Sequence, residues 1–248
     1  MTALAVDDLD LPSEVSTSLR QFVESARSAL GPDLVSIVLF GSAADGGLRP
    51  TSDVNLIIVL SRFDRARVDA LRDPLRLAHA TIRLATMMIL ESEIPAALEA
   101  FAVTFADIHE RRRVLAGPDA FASLAPSREA TLVGLRQLLL NFVLRMRERY
   151  ALISLREEQL TTLVADAAGP LRAAASLILS LEGPPATSAK AALETLAQGI
   201  DATGWREPLA NVSRAREEQA LPHGAGPATV LYLIELAEAL RARAERIR

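Results

Sequence analysis

The chain has 248 residues, half of them apolar, and carries a formal net charge of −4 with no cysteine. This length accommodates one large domain or two small ones with a substantial core. The acidic balance argues against a broad nucleic-acid interface, which needs a basic surface, and the lack of cysteine excludes disulfides and thiolate-bound metals. No apolar run reaches the roughly 20 residues that cross a bilayer. We therefore expect a soluble, cytoplasmic protein without a membrane partner.

The chain opens with a predicted helix. Apolar residues recur at helical spacing over residues 11–30. Ser13 is the expected N-cap, and the Gly-Pro pair that begins at Gly31 ends the helix.

Two short apolar runs follow, at residues 35–40 and 54–60, and each predicts a buried strand. The second run is almost continuously apolar, which is typical of a strand covered on both faces. Residues 43–51 contain two glycines and Pro50, so they predict a loop or a very short helix with a turn.

Strands and helices alternate through the next sixty residues. Residues 63–79 predict a helix that Pro74 breaks or kinks, and Ser92 is expected to cap a helix that runs to residue 100. Further strands are predicted at residues 82–90, 101–108 and 114–117. This alternation is typical of an α/β layer.

After Pro126 the strand signals stop and long helices rich in Leu, Ala, Arg and Glu are predicted. They cover residues 127–156, 157–181, 188–200, 205–219 and 225–247, with breaks at residues 183–185 and 222–224. This half predicts a helical bundle. The fold class is α/β (α+β): a mixed sheet with flanking helices at residues 1–120, followed by an all-α bundle at residues 121–248.

Polar residues lie at both ends of the loop that joins the first two predicted strands. Gly41 and Ser42 follow the first strand, and Asp53 and Asn55 open the second. Alternate residues of a strand point to the same face, so Asp53 and Asn55 share one face. Two acids at this spacing could hold divalent metal beside a nucleoside triphosphate, but here the second acid is an amide.

This pattern resembles the nucleotidyltransferase superfamily, which includes DNA polymerase beta, kanamycin nucleotidyltransferase and the minimal nucleotidyltransferases. Its signature is an apolar strand, Gly-Ser, a spacer, and acid-x-acid on the next strand. Gly41, Ser42 and Asp53 match the signature, and Asn55 departs from it. The resemblance covers about residues 30 to 120.

The resemblance implies nucleotide binding by Gly41 and Ser42, with Arg49 and Ser52 as further candidates, and NTP as substrate or ligand. It also implies Mg²⁺ as cofactor. Its ligands would be Asp53, Asn55 and a third acid from a later strand, for which Asp107 is the candidate. Asp53 and Asp107 would then be the catalytic residues. Thr104 is an alternative occupant of the third position, in which case that acid is absent.

Simpler structural interpretations stay open for several of these residues. Asp53 could cap the turn before the second strand, and Asp107 could be a surface acid. The run Arg111-Arg112-Arg113 could bind phosphates or form a solvated turn before the last strand.

Two functions are weighed for the whole chain. The first is an enzyme that transfers a nucleoside monophosphate from Mg–NTP to a hydroxyl of a small molecule or protein. The second is a catalytically degenerate pseudoenzyme that acts as a nucleotide sensor or as a protein-interaction module. The helical half would bind the unknown acceptor or form a homodimer.

An antitoxin-like role beside HEPN (nucleotide-binding four-helix) RNases is a third and weaker hypothesis. HEPN RNases carry Arg and His a few residues apart, and Arg216 with His223 has the longest such spacing. Pro222 should break the helix that presents both side chains, so His223 is interpreted as a loop residue.

Overall fold

The computed structural model describes residues 6–49, 52–183 and 186–247. The chain divides into two units, Met1–Ser127 and Arg128–Arg248. Pro50 and Thr51 of the predicted loop, and Pro184 and Pro185 of the predicted break, lie outside the described residues, as do the first five residues.

A four-stranded mixed sheet forms the centre of the N-terminal unit, with the strand order β3-β2-β1-β4. The strands are β1 Leu34–Phe40, β2 Val54–Leu60, β3 Leu84–Leu90 and β4 Arg113–Ala116. β1 is antiparallel to both β2 and β4, whereas β2 and β3 are parallel. The predicted strands at residues 35–40, 54–60, 82–90 and 114–117 are therefore confirmed.

Helices cover both faces of this sheet. They are α1 Ser13–Leu30, α2 Arg65–Ile82, α3 Ile94–Ala100 and α4 Ala102–Glu110. α1 and α2 pack on one face, where Leu56 and Ile58 of β2 are buried. α3 and α4 pack on the other face, against Ile57 and Val59. A strand buried on both faces has little room for polar residues, which explains the continuous apolar run of β2.

The predicted strand at residues 101–108 is wrong, because this segment belongs to helix α4. Ala102, Phe105 and Ile108 are buried at intervals of three residues, while Phe101 is exposed. This spacing places the buried residues on one helical face. A short apolar run does not by itself distinguish a strand from such a helix.

The two predicted serine caps are also wrong. Ser13 is the first residue of α1 and Pro12 occupies the N-cap position. Ser92 lies inside a short 3₁₀ turn, Glu91–Glu93, and the Glu93 carboxylate accepts the Leu90 N–H at 2.9 Å.

Helix α2 runs unbroken through Pro74, where a break or kink was predicted. Proline leaves the carbonyl four residues earlier without its helical partner. That residue, Ala70, is exposed, so water can satisfy its carbonyl.

The second unit is helical, as predicted. Its described helices are α5 Arg128–Ile153, α6 Glu157–Glu182, α7 Ala189–Ile200, α8 Arg206–Glu218 and α9 Ala225–Arg246. α6 packs against the other four. At the contact with α9, a Cβ on Gly226 would lie 3.0 Å from the Leu160 Cδ1 atom, so the small residue allows close approach. The predicted fold class, a mixed sheet with flanking helices followed by an all-α bundle, is confirmed.

Among the described helices, α6 is long and apolar enough to cross a membrane, with a mean hydropathy of 1.3 in its most apolar window. The sequence predicted no apolar run long enough to cross a bilayer, and α6 corrects that expectation. Most of its leucines and alanines are nevertheless buried within the unit. The cytoplasm remains a prediction.

Candidate functional site

One end of the sheet collects the polar residues. β1 ends at Phe40, which is in register with Asn55 near the start of β2. Asn55 is in turn in register with Ala85 of β3, and β4 begins at the same end, with Arg113 opposite Leu39. We call this region the polar end; it comprises Gly41, Ser42, Asp45, Asp53, Asn55, Arg83 and Arg111.

The Gly-Ser turn is built by a left-handed glycine. Gly41 has φ +75° and begins a 3₁₀ turn, Gly41–Ala43. The Ala44 N–H donates to the Gly41 carbonyl at 3.0 Å, and the Gly47 N–H donates to the Ser42 carbonyl at 2.9 Å. Glycine adopts this conformation without the steric cost of a side chain.

The turn lies directly beside Asn55. A Cβ on Gly41 would come within 3.5 Å of the Asn55 Nδ2 atom. The fold thus brings the turn and the opening of β2 together.

Asp53 is held by an arginine that the sequence did not single out. The Arg83 Nε donates to the Asp53 Oδ1 at 2.7 Å, and both side chains are at least half exposed. Arg83 caps the C-terminus of α2 in the left-handed conformation, with φ 52°, and its N–H donates to the Ala78 carbonyl. It precedes β3, whose first residue is in register with Val54. Arg83 could be predicted to meet Asp53 only by someone who knew the parallel register of β2 and β3.

Neither of the strand residues in register with Asn55, Phe40 and Ala85, is a carboxylate. The Asn55 Nδ2 donates to the Asp53 backbone carbonyl at 3.3 Å. The residue beside Asn55 on β3, the neighbouring later strand, is an exposed alanine, Ala85.

Asp107 and Thr104 both lie on helix α4, whereas the third acid was predicted on a strand. The Asp107 carboxylate is paired with Arg111, whose Nη1 also donates to the Asp45 Oδ2 at 3.0 Å. Burial lowers the pKa of the Arg111 guanidinium, but the charges and hydrogen bonds of Asp107 and Asp45 outweigh it and raise the pKa above its ordinary value. Arg111 therefore offsets part of the negative charge that Asp45 and Asp107 carry together.

Two hydrogen bonds join Arg49 and Ser52 at the end of the loop that follows Ser42. The Ser52 N–H donates to the Arg49 carbonyl at 2.9 Å, and the Arg49 N–H donates to the Ser52 Oγ at 3.4 Å. The Arg49 Nη1 atom is buried and has no hydrogen-bond partner among the described residues. A buried guanidinium nitrogen without an acceptor is costly, so Arg49 stays a candidate for binding an anion.

The arginine run at 111–113 is not a solvated turn. Arg112 is buried and paired with the buried carboxylate of Asp119, and Arg113 is the first residue of β4.

His223 lies between α8 and α9, and its Nδ1 is 3.0 Å from the Glu157 Oε2. The Gly224 N–H and His223 lower the pKa of Glu157. This contact ties the loop to the start of α6, which agrees with the interpretation of His223 as a loop residue.

The predicted magnesium ligands do not fit a two-metal site. Such a site uses several carboxylates to hold two cations beside the phosphates. Here Asp53 is paired with Arg83, Asn55 carries no charge, and Asp107 is paired with Arg111 on a helix. In the described part of the chain, no three His, Asp or Glu side chains converge as metal ligands would.

Residues 19–113 match the family profile of the nucleotidyltransferase domain. This segment of the N-terminal unit matches the nucleotidyltransferase superfamily. The chain is 37% identical over 97 residues to an aminoglycoside (3'')(9) adenylyltransferase of Shigella flexneri and to one of Escherichia coli. These matches cover 39% of the chain and 34% of each relative, so the chain spans about a third of the length of these curated relatives.

A solved structure resembles nearly the whole chain. It is a spectinomycin adenyltransferase from Enterococcus faecialis with ATP and spectinomycin, and it aligns with a TM-score of 0.63 at 13% identity. The alignment covers 90% of this chain and 98% of that one. At this low identity the likeness shows the fold alone.

Proposed function

We propose that this protein binds a nucleoside triphosphate at the polar end of its nucleotidyltransferase domain and acts through that binding without transferring the nucleotidyl group. The phosphates would lie against the Gly41–Ser42 turn, where glycine lets them approach the backbone and the Ser42 hydroxyl can donate a hydrogen bond. The left-handed Gly41 beside the Asn55 amide supports this placement.

One observation carries the proposal that transfer is lost. Asn55 is in register with Ala85, so neither residue of this pair is an acid. The carboxylate that remains at this end of the two strands is Asp53, and Arg83 already neutralises it. Nucleotidyl transfer in this superfamily depends on acids that hold metal ions against the attacking and leaving oxygens. A single paired carboxylate is a poor replacement for that set.

The relatives favour a second candidate, nucleotidyl transfer itself. An acceptor hydroxyl would attack the α-phosphorus of NTP and release pyrophosphate. Because two relatives are aminoglycoside adenylyltransferases, a small polyhydroxylated amine is the acceptor class to test first, and the helical unit would be the part that binds it. In this reaction Asp53 would have to leave Arg83 to serve as a ligand.

Two measurements on the full chain decide between these candidates. Calorimetric titration with ATP, GTP, CTP and UTP tests binding, and a pyrophosphate-release assay with Mg²⁺ and an aminoglycoside tests transfer. We expect one or more nucleotides to bind and pyrophosphate release to stay at the level of the buffer control. Release that Asp53→Ala abolishes would establish the second candidate, and failure of all four nucleotides to bind would contradict the proposal.

A further inference from the structure

We propose that the Arg83 guanidinium takes the place of metal ions at the polar end, so that the triphosphate binds there without a divalent cation. This inference rests on the proposed nucleotide binding and adds to it the group that neutralises the phosphates.

The backbone fixes the position of Arg83. Its N–H closes the C-terminus of α2 on the Ala78 carbonyl, and the next residue begins β3 in register with Val54. The side chain therefore starts one strand away from Asp53, and its Nε reaches the carboxylate at 2.7 Å. This is the carboxylate that a metal ion would need.

The guanidinium has donors to spare. Arg83 uses Nε for Asp53, and within the described residues neither of its Nη groups has a protein acceptor. Its side chain is 60% exposed to solvent. A guanidinium presents paired N–H donors that match two phosphate oxygens. Arg83 can therefore donate to a phosphate while its backbone stays in place.

The charge at the polar end also changes the need for metal. Three carboxylates would carry a charge of about −3 and repel a triphosphate until cations bound. Here Asn55 is neutral, Asp53 is balanced by Arg83, and Arg111 offsets one of the two charges of Asp45 and Asp107, so the net charge of these groups is about −1. A triphosphate therefore meets much weaker repulsion here than at a site of three unpaired carboxylates.

A simpler interpretation assigns Arg83 a purely structural part. Cations near a helix C-terminus are mildly favourable, and exposed ion pairs contribute little to stability. A weak, exposed pair is also one that a more highly charged phosphate group can displace. The two interpretations differ in what happens to nucleotide affinity when either partner is changed.

The experiment measures ATP affinity of the full chain by calorimetry in EDTA. We expect Arg83→Ala to weaken binding about ten- to a hundredfold, as expected for the loss of a hydrogen bond to a charged group. Arg62→Ala is the matched control. Arg62 follows the opposite end of β2, pairs with Asp33, and is also exposed, while Asp33 keeps Arg67 as a partner. Its ATP affinity should equal that of the wild type.

The Asp53→Asn variant should change ATP affinity in opposite directions, depending on whether Arg83 binds phosphate or Asp53 binds a metal ion. If Arg83 binds phosphate, removing the competing carboxylate should tighten ATP binding in EDTA by about threefold or more. If Asp53 is a metal ligand, the same change should weaken binding measured with Mg²⁺. Circular dichroism and urea unfolding check that each variant is folded.

Tighter binding by Asp53→Asn together with weaker binding by Arg83→Ala supports the inference. ATP binding that requires Mg²⁺, or that Arg83→Ala leaves unchanged, overturns it and leaves the proposed function standing. Loss of binding by the wild type in both buffers would instead overturn the proposed function.

Discussion

Two arginine–aspartate pairs in the N-terminal unit have the same chemistry and opposite surroundings. Arg112 and Asp119 have side chains that are 9% and 2% exposed, whereas Arg83 and Asp53 are 60% and 51% exposed. The Asp119 carboxylate accepts from the Arg112 Nε and Nη2 and from the Phe121 N–H. Within the described residues, the Asp53 carboxylate accepts one hydrogen bond, from Arg83.

This difference decides what each pair can do. A buried pair satisfied on every side cannot lose a partner without leaving a charge in a poorly polarisable interior. An exposed pair is solvated in both states and contributes little to stability. Burial therefore makes Arg112–Asp119 part of the fold, and exposure leaves Arg83–Asp53 available to a ligand.

The largest expected effect comes from breaking the buried pair. Asp119→Ala should lower the free energy of unfolding by about 3–5 kcal/mol, because the Arg112 charge is left buried and unpaired. Asp53→Ala, the matched change at the exposed pair, should cost less than about 1 kcal/mol. Urea unfolding of both variants measures the contrast, and equal losses would contradict it.

Two left-handed glycines sharpen the same comparison. Gly117 has φ +73°, and a Cβ there would lie 2.0 Å from the Val35 carbonyl oxygen, so Gly117→Ala should cost about 3 kcal/mol or more. Gly41 has φ +75°, but its Cβ would meet the Asn55 amide at an ordinary 3.5 Å. Gly41→Ala should therefore cost only about 1 kcal/mol, the penalty of the backbone conformation.

For Gly41→Ala, the informative readout is ATP affinity, since the added methyl group occupies the space between the turn and Asn55. A variant that stays folded and binds ATP as well as the wild type would place the phosphates elsewhere.

Asn55→Asp should restore part of a metal site. A second carboxylate beside Asp53 would raise the affinity of the ATP complex for Mg²⁺ by about tenfold, or about 1.4 kcal/mol. Calorimetric titration of Mg²⁺ into the ATP-saturated variant and wild type measures the change. Equal affinities would show that residue 55 does not face bound nucleotide.

The smallest expected effect is a pH dependence of stability. Burial raises the pKa of Asp119, but hydrogen bonds from Arg112 and the Phe121 N–H, with the Arg112 charge, outweigh it and hold the pKa below its ordinary value of 3.8. A depressed folded pKa gives stability that is present above the ordinary value and is lost as the pH falls through the folded value.

Wild-type stability should therefore fall as the pH is lowered below about 4, and part of this fall should disappear in Asp119→Asn. Urea unfolding at a series of pH values tests this expectation. An identical acid response in the variant would remove Asp119 as the cause.

The sequence predicted the parts of the site that follow from local pattern. The continuous apolar run of β2 indicated a strand buried on both faces, and the Gly-Ser turn before it indicated where phosphate would approach. Asp53 and Asn55 could be placed together because strand residues alternate. These inferences need only neighbours along the chain.

The remaining features depend on contacts between distant segments. Arg83 meets Asp53 only because β3 is parallel to β2 in one particular register. Residues 101–108 were assigned to a strand because a short apolar run fits both strand and helix. Arg112 lies in a charged run that reads as solvated, and its burial follows from the position of Asp119.

The central claim is that the polar end binds triphosphate with arginine in place of metal. The most direct measurement is the ratio of wild-type ATP affinities in excess Mg²⁺ and in EDTA. We predict that the two dissociation constants agree within about threefold. Binding that is about a hundredfold tighter with Mg²⁺ would contradict this account and favour metal-dependent nucleotidyl transfer.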